Sequence, residues 1–225
     1  LETERLGAAE PRHYLLLGEA EVELRSRREA ERHLLMAGDH VRARYLLGRL
    51  YYDQGRAADA KTAFLDVVGR DPSNASAHLH LGWLFYREGS RRSAMRHYRK
   101  AVELAPGDAL ARLSLAALLE ETDRPRDAIE HYRAAVQLDN IPREEKKKAY
   151  NSLSRLLVAH ATTAEAIALV NTGLREFPDA GGLWYEWGEA LVREGRTGEA
   201  REKFRRAAAD PAWKEHAIRR LNRLR

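Results

Sequence analysis

Residues 75–108 read ASAHLHLGWLFYREGSRRSAMRHYRKAVELAPGD, and this stretch decides the fold. Leu81, Gly82 and Phe85 recur at helical spacing, Gly89 interrupts the run, and Ala94, Tyr98 and Ala101 resume it before Pro106 ends it. Two amphipathic runs around a glycine predict a pair of antiparallel helices. A small residue such as Gly82 facing Ala94 lets the pair approach closely, while Leu81, Phe85 and Tyr98 fill the space between them.

The same arrangement returns elsewhere. Gly48, Gly82 and Gly188 are followed at fixed offsets by Tyr51, Phe85 and Leu191, then by Ala60, Ala94 and Ala200, then by Phe64, Tyr98 and Phe204. Aligning Gly48 with Gly82 gives a period of 34 residues. The resulting windows are 41–74, 75–108, 109–142, 147–180 and 181–214, with Arg143–Lys146 as an insertion and a shortened window at 11–40. Fixed-offset repetition of this length is the signature of a stacked repeat, in which no hairpin can bury its own apolar stripe and neighbours must cover it.

Leu47, Gly48, Tyr51, Ala60, Phe64 and Pro72 in one window, and Leu81, Gly82, Phe85, Ala94, Tyr98, Ala101 and Pro106 in the next, resemble the tetratricopeptide repeat family. Trp184, Trp187, Gly188, Leu191, Ala200, Phe204 and Ala207 carry the resemblance in the last window, where the proline is displaced to Pro211. The fourth window departs by placing Ala116 for glycine and Asn140 for proline, and the fifth keeps Tyr150, Leu153, Leu157, Ala166 and Pro178. The resemblance implies an all-α fold, a right-handed α-solenoid of stacked antiparallel helical hairpins, with residues 1–225 forming a single domain. The short first window requires a second helix that ends early or a tighter turn into the next repeat. Residues 215–225 read as a capping helix with Ile218 and Leu221 inward, and residues 1–10 as the end of a preceding helix or repeat. Pro125 suits the first turn of a helix, and Thr162 with Glu165 forms a capping box.

Composition narrows the function classes. Hydrophobic residues make up 44% and charged residues 32%, a balance that excludes disordered and collagen-like chains. Cysteine is absent, which removes disulfides, thiolate metal sites and a cysteine nucleophile. No apolar run approaches the roughly 18 residues of a membrane span. The net charge of +5 comes from 39 basic and 34 acidic residues, with the basic clusters interspersed with acidic neighbours rather than gathered in a stripe. Nucleic acid is therefore not the expected partner. The chain begins at Leu1 rather than methionine, which leaves room for a targeting segment, anchor or enzyme domain upstream. Cytoplasmic and periplasmic locations both fit, and membrane contact is expected only through such a segment or a partner.

Chemistry-bearing constellations are missing. No HExxH, GxGxxG, GxxxxGK or GxSxG motif occurs, and no nucleophile has an identifiable base. His33, His97 and His131 share one window position, but equivalent residues of stacked helices stand about 10 Å apart, too far to share a metal ion. His78 and His80, two residues apart, face different sides of their helix. No catalytic, cofactor or metal site is expected.

In the family, the first helices line a concave groove. Carried onto this chain, the inward positions are Arg42, Tyr45, Arg49, Tyr52 and Asp53, then His80, Trp83, Tyr86 and Arg87, followed by Leu113, Ala117, Glu120 and Glu121. Lys148, Asn151 and Arg155 follow, and then Tyr185, Glu186, Glu189 and Arg193. Arg42, Tyr45, Arg49, Tyr52, His80, Trp83, Tyr86, Arg87, Asn151 and Arg155 form the candidate partner-binding set, because aromatic and guanidinium groups together compose binding hot spots. The same aromatics also suit packing between neighbouring first helices. Arg49, Asn151 and Arg155 suit a carboxylate or acidic side chain. The lysine-asparagine set with which some members clamp a terminal carboxylate is not reproduced: Leu15 and Glu19, or Tyr45 and Arg49, occupy its first positions. Three functional expectations follow. The first is a non-enzymatic scaffold that binds a protein or peptide. The second is a regulatory or targeting region of a larger enzyme or membrane-associated protein. The third is self-association, through the groove or through the irregular first repeat with its Leu34-Leu35-Met36 run.

Overall fold

The computed structural model describes residues 10–224. Among them it is all-α, with thirteen helices and no strand. Chain contacts divide it into two compact units, Leu1–Pro106 and Gly107–Arg225. The segment expected to end a preceding helix falls almost wholly on residues 1–9, outside the described residues, as does Arg225.

Unit 1 holds α1 (Pro11–Glu23), α2 (Arg27–Met36), α3 (Val41–Asp53), α4 (Ala57–Arg70), α5 (Ala75–Arg87) and α6 (Arg91–Leu104). Consecutive helices pair as hairpins, and each hairpin packs on the next through α2 against α3 and α4 against α5. The close approach within a pair is literal. A Cβ on Gly82 would lie 2.3 Å from Tyr98 Cδ1, and one on Gly48 would lie 2.7 Å from Phe64 Cε1. Phe64, Leu81 and Ala94 are fully buried, and each large apolar side chain so buried contributes about 1.5–3 kcal/mol.

One turn geometry ends the first helix of most hairpins. Gly55 adopts a positive φ of 75°, its N–H donates to Tyr52 O at 3.0 Å, and the Arg56 N–H donates to Tyr51 O at 2.9 Å. This left-handed residue closes the helix by satisfying its last carbonyls. Arg25 (φ 59°) and Asp123 (φ 55°) take the equivalent place in hairpins that lack the glycine, at a backbone cost of about 1–2 kcal/mol each. The short first repeat is resolved by α2, which has 10 residues where α4 and α6 have 14, and by a turn at Gly38.

Unit 2 holds α7 (Ala109–Glu121), α8 (Pro125–Val136), α9 (Arg143–His160), α10 (Thr163–Glu176), α11 (Gly181–Arg193), α12 (Thr197–Ala207) and α13 (Lys214–Arg223). Pro125 opens α8, and the Thr162 side chain accepts the Glu165 N–H at the start of α10. Residues 143–146, which lie between two repeat windows, form the first turn of the 18-residue α9. On α13 the inward residue is Ala217, fully buried, while Ile218 is 42% exposed. A small side chain lets α13 lie close to α12, and Leu221, one turn on, joins the cluster around Leu191 and Phe204. No helix among the described residues is long and apolar enough to cross a membrane.

Candidate functional site

In unit 1, α3 and α5 present an aromatic cluster centred on His80. Its ring stacks on Phe64 with centroids 4.7 Å apart and meets Tyr45 at 5.9 Å, Tyr52 at 5.7 Å and Trp83 at 5.0 Å. Tyr52 also lies 6.1 Å from Trp83. His80 Nδ1 is 2.7 Å from Ser76 O. A carbonyl only accepts, so Nδ1 carries a proton and donates to it. Tyr45, Tyr52, His80 and Trp83 are half-buried, whereas Tyr86 is 44% exposed at the edge.

The arginines of this face differ in their engagement. Arg42 donates through Nε to Glu19 Oε1 at 2.9 Å, with its guanidinium 5.9 Å from the Tyr45 ring. Arg49 is exposed, and no carboxylate among the described residues lies within ion-pair distance of it. It borders a cleft of 440 Å3 shared with His40, Tyr45 and Asn74, and a second of 390 Å3 shared with Glu21, Leu46 and Asp53. Arg87, at the end of α5, is exposed.

Unit 2 holds Asn151 and Arg155 one helical turn apart on α9. Arg155 Nη2 pairs with Glu120 Oε1 of α7, and Glu120 Oε2 accepts from the Tyr132 hydroxyl at 3.3 Å. Burial, then the Glu120 charge, pushes the Tyr132 phenol up to about 12. Asn151 Oδ1 is buried without a hydrogen-bond partner. On α11, Glu186 is only 5% exposed, and desolvation followed by repulsion from Glu189 pushes its carboxyl up to about 7, against an opposing pull from Arg155. Glu189 is held by Arg220 of α13, whose Nε and Nη2 donate at 2.6 and 3.0 Å.

The family model described as Tetratricopeptide repeat matches residues 15–75, 45–109, 81–142 and 151–213. The chain belongs to the tetratricopeptide repeat family. Among solved structures, it is similar to YrrB, described as a TPR protein with an unusual peptide-binding site, at 17% identity and a TM-score of 0.70, covering 80% of this chain and 93% of that one. MamA follows at 23% identity and a TM-score of 0.62, covering 72% and 92%. Pseudomonas aeruginosa pilF stands at 24% identity and a TM-score of 0.58, covering 75% of each chain. At these identities the likeness is one of fold. A sequence search of curated proteins finds no match.

The tetratricopeptide repeat frame places Tyr45, Tyr52, His80 and Trp83 in one cluster, with Arg42 and Arg49 on the same helix as the tyrosines. Asn151 and Arg155 belong to unit 2 and are described there alone. The shared histidine position has no common chemistry. His33 Nδ1 lies 2.7 Å from Glu21 Oε2, whereas His97 contacts His78. No group of three potential metal-binding side chains occurs among the described residues. Two features escaped the sequence reading. The Arg155–Glu120 pair joins residues 35 apart, and Glu186 reads as an ordinary groove carboxylate until its burial is known. The one available signal was the spacing Gly182, Glu186, which puts a small residue one turn before the acid on the same face.

Proposed function

We propose that this chain is a non-enzymatic interaction scaffold that binds an extended segment of another protein along the first-helix face of unit 1. The observation that carries the reading is the ring cluster around His80 beside Arg49, a guanidinium with no carboxylate within ion-pair distance among the described residues. Rigid aromatics offer contact area at small ordering cost, and a guanidinium offers bidentate hydrogen bonds to a carboxylate. The segment recognised carries an acidic side chain or terminal carboxylate near an apolar anchor. YrrB, whose description names a peptide-binding site, shares the fold and supports the reading.

The test is titration of a partner recovered by pull-down against the full chain. Trp83→Ala and Arg49→Ala should each weaken binding by about 1–3 kcal/mol while the far-UV spectrum is unchanged. Arg99, exposed on α6, supplies the control through Arg99→Ala. Retention of full affinity by both Trp83→Ala and Arg49→Ala would overturn the proposal.

The exposed apolar side chains of the first hairpin favour a second reading, self-association. Leu16 is 65%, Leu24 76%, Leu35 50% and Met36 47% exposed, four of the large apolar side chains that unit 1 leaves to solvent on its first hairpin. Light scattering over a wide concentration range should show mass growth that Leu16→Ser with Leu24→Ser abolishes. A constant monomer mass would eliminate this reading.

A further inference from the structure

Three arginines of unit 1 line one cleft of 390 Å3 between the first two hairpins: Arg25 and Arg27 come from the turn between α1 and α2, and Arg49 from α3. All three are exposed, and none has a carboxylate within ion-pair distance among the described residues. Several neighbouring guanidiniums are already spent. Arg42 is held by Glu19, Arg44 by Asp39 and Asp66, and Arg56 by Glu31 and Asp59. The turn carries its arginines against local preference. Arg25 adopts a φ of 59° at the place where the next two hairpins put Gly55 and Gly89, and Arg27 opens α2 where Ala57 opens α4. A left-handed backbone favours glycine, so the first hairpin holds guanidiniums where glycine and alanine meet the needs of the fold.

Two carboxylates share the lining. Glu21 Oε2 lies 2.7 Å from His33 Nδ1, and Asp53 is exposed without an ion-pair partner among the described residues. Positive charge is in excess even with both counted, and neither is drawn onto a guanidinium. A single carboxylate would occupy one guanidinium fork and leave the others unmatched. A phosphomonoester carries a charge of about −1.5 to −2 at neutral pH and three strong acceptor oxygens, one for each fork in the cleft. Leu46 and Leu50, both buried, complete the lining and give the carbon stem of such a group an apolar wall. We propose that this cleft receives the phosphoryl group of a phosphorylated side chain on the bound protein segment. The assignment rests on the scaffold reading for the segment that carries the phosphate. Arg49 belongs to both surfaces, whereas Arg25 and Arg27 belong to the cleft and not to the aromatic cluster.

The experiment titrates the full chain, followed by NMR at fixed ionic strength, with acetyl-Gly-phosphoserine-Gly-amide as probe and the glutamate and serine tripeptides as counterparts. The phosphopeptide should bind saturably and about tenfold more tightly than the glutamate peptide, and the serine peptide should not bind. Arg25→Gly with Arg27→Ala copies the second hairpin and preserves the turn; it should weaken the phosphopeptide about tenfold or more. Arg28→Ala, beside the cleft but outside its lining, should weaken it by about twofold or less. Inorganic phosphate should displace the peptide only in several-fold excess. Equal affinity for the glutamate peptide, or wild-type affinity in the double variant, would overturn the site. Displacement by equimolar phosphate, or arginine-dependent sedimentation with phosphatidic acid vesicles but no phosphopeptide binding, would overturn the peptide as its source. A phosphopeptide that fails to bind, together with a natural partner that still depends on Trp83, would overturn this site alone and leave the aromatic face standing.

Discussion

His78 and His97 face each other across α5 and α6, Nδ1 to Nδ1, at 3.0 Å. His78 Nε2 lies 3.2 Å from Pro72 O and must donate to it, so its Nδ1 accepts and His97 Nδ1 is the donor between the rings. That leaves His97 Nε2 buried without a partner. Protonating His97 would add an unsatisfied buried donor, and protonating His78 would set N–H against N–H. Burial, the His78 ring and Arg96 accordingly lower His97 from 6.5 to about 4, while burial lowers His78 as well.

A pH-dependent stability follows for unit 1. Between about 6.5 and about 4 the unfolded chain binds a proton that folded His97 refuses, so stability is fully present above that window and is lost as pH falls through it. The expected loss is on the order of 1–3 kcal/mol between about pH 7 and about pH 4. Urea denaturation as a function of pH measures it. His97→Leu should flatten the acid limb, and an unchanged limb would remove the histidine pair as its cause. Because His97 is buried and stacked on Phe85 at 5.3 Å, its replacement also perturbs the core.

Glu186 works in the opposite direction. Its folded carboxyl is raised from 4.5 to about 7, so the native state keeps a proton that the unfolded chain has released. Stability from this group is complete below about 4.5 and declines as pH rises through about 7, by about 2–3 kcal/mol in full. Glu186→Gln should abolish the decline and exceed the wild type in urea midpoint at about pH 8. A variant with the wild-type slope would show that another group titrates.

Two glycine substitutions should move stability in opposite senses. Gly82→Ala places a methyl 2.3 Å from the Tyr98 ring, and forcing the buried tyrosine aside should cost about 1–3 kcal/mol. Gly69, near the end of α4, has nothing within 4 Å of the place a methyl group would take, so Gly69→Ala should stabilise by about 0.4–1 kcal/mol. Thermal melts of both variants provide the comparison, and equal signs would contradict the packing account.

Trp184 and Trp187 stack at 5.5 Å with planes 4° apart, and the Lys203 ammonium sits 4.3 Å from the Trp187 ring while the Arg206 guanidinium lies 4.7 Å from Trp184. Lys203→Met keeps the aliphatic stem and removes the charge. The expected loss is about 0.5–1 kcal/mol, read from thermal denaturation alongside tryptophan fluorescence. A melt and emission spectrum identical to wild type would show the contact to be energetically idle.

Much of the architecture was legible because repeat structure is written locally. Gly82 and Tyr98 lie sixteen positions apart in one window, and the close approach they permit depends on residue size and helical spacing alone. The turn at Gly55 is equally local, since a left-handed residue is needed after the last carbonyls of α3. The direction in which α13 turns was less so. Ile218 is the more apolar residue, yet Ala217 is buried, because the separation between α12 and α13 rewards a small side chain.

From residues alone came the hairpins, their period, the family and the composition of the aromatic face that includes Tyr45, Tyr52, His80 and Trp83. Tertiary structure decided which charges are spent and which remain. Arg155 and Asn151 read alike as carboxylate-seeking groups, but Arg155 is satisfied by Glu120 from another repeat while the Asn151 oxygen has no partner. Glu120, Glu186 and Glu189 are the same residue type at first-helix positions, and only burial and the reach of Arg155 and Arg220 separate two paired carboxylates from one held partly protonated. Periodicity sets which face a side chain occupies; desolvation and pairing depend on distances between helices that no spacing along the chain encodes.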